Sequence, residues 1–65
     1  MITPDLDEAN ALFTQLQTIR REIVKVAHRV LRDPNPKNLK DLQIRLDAES
    51  NLNDAFRNTA HMIGN

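Results

Sequence analysis

Sixty-five residues make at most one domain, and a domain near this size buries only about 60% of the surface its unfolded chain exposes. Nine basic and nine acidic side chains cancel, which argues against a dedicated nucleic-acid binder, and the lack of cysteine excludes disulfides, thiol chemistry and cysteine-bound zinc. With two phenylalanines and no tryptophan or tyrosine, little is left for base stacking or an aromatic ligand cage.

A domain this small usually needs a staple, and with disulfides and cysteine-bound metal gone the remaining one is association with another chain. The opening residues, Met1 to Asp5, carry no positive charge and are followed by no apolar run, so they do not read as a secretory signal. No apolar stretch is long enough to span a bilayer. The expected location is the cytoplasm, with no membrane insertion.

A first helix is expected over 4–32. Thr3 can cap it, Pro4 suits its first position, and Asp5, Asp7 and Glu8 lie where the helix dipole favours negative charge. Ala9, Leu12, Leu16, Ile19, Ile23, Val26 and Val30 then repeat at alternating spacings of three and four, an unbroken heptad seam. Phe13, Val24, Ala27 and Leu31 widen the stripe, giving the helix apolar surface for more than one neighbour.

Asp33 to Pro36 cannot continue that helix, because Pro34 and Pro36 lack amide donors and constrain the residues before them. Asn35 is placed to cap a second helix over 36–62, with Pro36 in its first position and Gly64 as a terminator. So short a connection returns the helices antiparallel. The expected fold is an all-α two-helix hairpin, one domain over 1–65, that completes a helical bundle with itself or a partner.

The second helix is less regular. Leu39, Leu42 and Leu46 open a seam and Phe56, Ala60 and Ile63 resume it, but Glu49 and Asn53 fall at the seam positions between. Folding about Asn35 puts Glu49 opposite Arg20 and Arg21, and Asn53 near Leu16 or Gln17. Two readings stay open: Glu49 and Asn53 are seam residues that set register or partner choice, or the helix is rotated to use Ala48, Leu52 and Ala55. The residues expected to carry partner binding are Leu12, Phe13, Leu16, Ile19, Ile23, Leu46, Glu49, Leu52, Asn53 and Phe56.

Catalytic chemistry finds no footing. His28 and His61 belong to different helices and to opposite ends of the hairpin, so no convergent metal site is expected. Ser50 and Thr59 have no base and orienting group in view, and Gly64 is the only glycine, so there is no phosphate loop. No enzyme activity, cofactor, metal or small-molecule substrate is expected. Arg20, Arg21, Lys25, Arg29 and Arg32 form a basic patch, which serves a Rop-like dimeric RNA-binding hairpin or complements the dipole at a helix C-terminus. The second is favoured, and nucleic acid is disfavoured as a partner.

The turn, with Pro34, Asn35, Pro36, Leu39, Leu42 and Gln43, resembles the hairpin of type III secretion needle subunits, as do Asn58 and Ala60 in the second helix. The resemblance extends over about 13–63 and is specific in the turn. It implies a subunit of that apparatus or one of the small helical co-chaperones that keep needle subunits soluble. The tyrosines and the longer apolar C-terminal segment of needle subunits are missing, which favours the co-chaperone. The segment Leu42 to Asp47 is also similar to the leucine–aspartate signature of small sporulation-type aspartyl-phosphate phosphatases, which would make Asp47 the residue of interest.

Overall fold

The computed structural model describes residues 6–64 as two helices, α1 (Leu6–Arg32) and α2 (Pro36–Gly64), joined by Asp33, Pro34 and Asn35. The expected caps at Thr3 and Pro4 lie outside the described residues. α2 continues past the expected end at 62, with Gly64 as its last helical residue. Among the described residues there is no strand, and no helix is long and apolar enough to cross a membrane. The molecule is a rod of 51 × 14 × 14 Å.

Side chain and backbone together close the turn. The Asp33 amide donates to the Arg29 carbonyl at 2.8 Å, completing the last turn of α1. Asn35 then caps α2: its Oδ1 accepts from the Asn38 amide at 2.8 Å, and its carbonyl accepts from the Leu39 amide at 3.0 Å. The Asn38 side chain reaches back, donating Nδ2 to the Asp33 carbonyl at 2.8 Å. Asn35 Nδ2 also donates to Asp33 Oδ2 at 3.0 Å, tying the two side chains of the turn together.

The seam expected on α1 is the one it uses. Leu16 and Val26 are buried, and Ala9, Leu12, Ile19, Ile23 and Val30 are half-buried against α2. Phe13 and Phe56, equally far from the turn, bring their rings to 5.8 Å between centroids at a tilt of 38°. Arg20 and Glu49 are also equally far from it and approach to 3.5 Å, so the helices are in register along their length.

On α2 the inward face differs from the leucine seam. Leu39 and Leu46 are exposed, as is Ala60, while Asn38, Arg45 and Leu52 turn inward and Thr59 is buried. Leu42, Glu49 and Phe56 belong to both arrangements. The inward face is therefore shifted toward the alternative that employs Ala48, Leu52 and Ala55, all of which are half-buried. The cause lies in the turn. Asn38 must face Asp33 and Asn35 to make its bonds, and Arg45, Leu52 and Thr59 follow at heptad spacing.

Candidate functional site

Residues seven apart share one side of a helix, so the interhelical contacts reveal what lies on each side of the hairpin. Arg20 Nη2 donates to Asn53 Oδ1 at 3.5 Å, which joins the line of Leu6, Phe13, Arg20 and Ala27 on α1 to the line of Leu39, Leu46, Asn53 and Ala60 on α2. On the opposite side Arg29 meets Asp41 at 4.0 Å, joining Gln15, Glu22 and Arg29 to Asp41, Ala48 and Ala55. One flank is apolar except at its middle. The other is charged.

The charged flank is tied by ions. Arg45 contacts Asp41 on its own helix and lies 3.8 Å from Glu22 across the hairpin, and Asp41 in turn meets Arg29. The Arg45 Nε is buried and donates no hydrogen bond. Pairs of this kind, partly open to water, contribute about 0–1 kcal/mol each and serve mainly to fix register.

The apolar flank is largely uncovered. Phe13, Leu39 and Leu46 keep 43%, 49% and 44% of their surface exposed. Val24 and Leu31, one turn from Ala27 on α1, border the same side and are exposed as well. Arg20, Glu49 and Asn53 interrupt this surface at mid-length. Glu49 and Asn53 are half-buried there, at the edge of the interior rather than within it.

The residues expected to bind a partner thus fall into two groups. Leu16 is fully used inside the hairpin, and Leu12, Ile19, Ile23, Leu52 and Phe56 are half-buried between the helices. Phe13 and Leu46 face outward on the apolar flank, with Asn53 and Glu49 between them in level. Asn53 bonds Arg20 rather than a residue at the level of Leu16, because the long arginine side chain spans a full helical turn. Sequence periodicity missed Leu39 as a surface residue and Arg45 as an inward one. The signal was Asn38, three positions after the capping Asn35, which fixes the rotation of α2.

The remaining candidates are scattered. Of the basic patch, Arg20 and Arg29 are engaged by acids of α2, whereas Arg21, Lys25 and Arg32 are exposed on the outer side of α1. His28 lies near the turn and His61 near the open end. Asp47 is exposed on α2 and accepts a hydrogen bond from Gln43 Nε2 at 3.0 Å. Ser50 is exposed and Thr59 buried. No protein-family model, curated protein or solved structure matches the chain.

Proposed function

We propose that this chain is a non-enzymatic interaction module whose apolar flank is closed by helices of another polypeptide, completing a helical bundle. The observation that carries this reading is the imbalance of its core. Among the described residues the buried apolar side chains are Leu16 and Val26, while Phe13, Val24, Leu31, Leu39 and Leu46 remain exposed around one side. Burying such area is worth about 25 cal/mol per Å², less the costs of ordering and association. The two described helices pack on each other along the seam and leave this side open.

The reading is tested on the isolated chain at high dilution, with a dye whose fluorescence reports exposed apolar surface. The dye should bind, and Leu39→Gln with Leu46→Gln should abolish its binding without loss of helix. A chain that excludes the dye when dilute and melts at a high, concentration-independent temperature has no need of a partner, and the reading fails.

The turn carried by Pro34, Asn35, Pro36, Leu39, Leu42 and Gln43 supports a more specific form of the same proposal, a secretion-apparatus co-chaperone or needle-like subunit acting in the cytoplasm. Mixing the chain with a needle-type hairpin subunit should then increase ellipticity at 222 nm beyond the sum of the separate proteins. A simple sum would remove that form while leaving the general one.

A further inference from the structure

The apolar flank has a pattern of its own, and we infer that its occupant is a second copy of this chain, arranged with both turns at the same end. This rests on the reading of the flank as an interaction surface and names the partner that closes it.

Size makes the face sufficient. A side of 51 × 14 Å presents about 700 Å², close to the roughly 800 Å² per partner of a stable interface. The chain's net charge of zero sets up no general repulsion between copies.

Charge decides the orientation. Full overlap of two flanks can be reached by a twofold axis across the rod or along it. An axis across it lays α1 on the partner's α1, and Arg20, near the middle of the helix, would then meet the partner's Arg20. An axis along the rod lays α1 on the partner's α2 instead. Arg20 then meets the partner's Glu49 and the partner's Asn53, the same groups that it already approaches at 3.5 Å within its own chain. The polar layer at mid-length closes on itself with opposite charges paired.

Shape agrees with this arrangement. Because the helices are in register, Leu46 of one copy comes level with Ile23 and Leu39 with Val30 of the other. Each leucine therefore enters the line of Val24, Ala27 and Leu31, where the small Ala27 leaves room between larger neighbours. At the open end Phe13 comes beside the partner's Ala60, again large against small. The product is a four-helix bundle in which neighbouring helices alternate in direction.

The experiment is sedimentation equilibrium of the full chain over a wide concentration range, with a spin label at Lys37→Cys, the only cysteine in the molecule. The expected mass is twice that of the chain, and the expected label separation is about 20–35 Å, because Lys37, seven residues before Ile44, lies on the side away from the interface and adds to the 8–10 Å between packed helices. Leu46→Asp and Val24→Asp, both at exposed positions, should each give a helical monomer, while Ile44→Asp, away from the flank, should leave the dimer intact. A helical monomer at every concentration overturns the second copy as occupant and leaves the interaction reading standing. Labels about 50 Å apart, close to the 51 Å length of the rod, overturn the orientation. A dimer that survives both Leu46→Asp and Val24→Asp overturns the flank itself, and the interaction reading with it.

Discussion

Arg20 on α1 and Glu49 on α2 face each other at 3.5 Å from positions equally distant from the turn, with side chains 49% and 29% exposed. Together with Asn53 they place a polar layer at the middle of an otherwise apolar flank. The pair fixes register more than it stabilises, because water screens much of its attraction.

Reversing the pair should show this. Glu49→Arg alone brings two guanidinium groups together and should lower the chemical denaturation midpoint. Adding Arg20→Glu should restore it to within about 1 kcal/mol of the original stability. The recovery should shrink in high salt, as expected of partly exposed charges.

The Asn35 cap should be worth about 1 kcal/mol. Asn35→Ala removes the acceptor of the Asn38 amide and should lower stability by that amount in urea denaturation. Asn35→Asp keeps an acceptor at the same place and should retain most of it. A larger loss for the aspartate than for the alanine would show that repulsion between its carboxylate and that of Asp33 outweighs the cap.

Ile23 lies in the seam between the helices and Lys25 is exposed on the outer side of α1. Ile23→Asp places an unpaired charge between the helices and should abolish the cooperative thermal transition seen by circular dichroism. Lys25→Ala should alter stability by less than about 0.5 kcal/mol. Similar melts for the two variants would mean that the seam is misassigned.

Arg45 offers a sharper test of the inward face of α2. Arg45→Met removes the buried Nε and its contacts with Asp41 and Glu22, replacing them with an unbranched apolar side chain. Glu22 and Asp41 stay partly open to water and Asp41 keeps Arg29, so stability should change by only about 1 kcal/mol or less. Arg45→Asp instead gathers three carboxylates, with Asp41 and Glu22, and should destabilise the hairpin. The midpoint of guanidinium denaturation separates the two outcomes.

The hairpin and its turn were legible because their signals are local. Pro34 and Pro36 cannot continue α1, Asn35 is a capping residue, and the α1 seam is an unbroken apolar repeat. The face of α2 was not legible from apolar spacing, because Leu39, Leu42 and Leu46 draw the seam toward leucine. What sets the face is a pair of polar demands, the bonds of Asn38 in the turn and the ion contacts of Arg45. Hydrophobic periodicity does not register either one. The interaction surface followed from that rotation: Leu39 and Leu46 face outward because Asn38 and Arg45 face in.

The clasp formed by Asp33, Asn35 and Asn38 therefore acts as an angular index for the whole of α2. One residue inserted after Asn38, inside α2, would turn everything beyond it by about 100° relative to the clasp, the step of a helix with 3.6 residues per turn. Such a change would swap the leucines on the outer surface for another stripe without altering a single surface side chain. In a hairpin built this way, the outward face of α2 is chosen by its register against the turn.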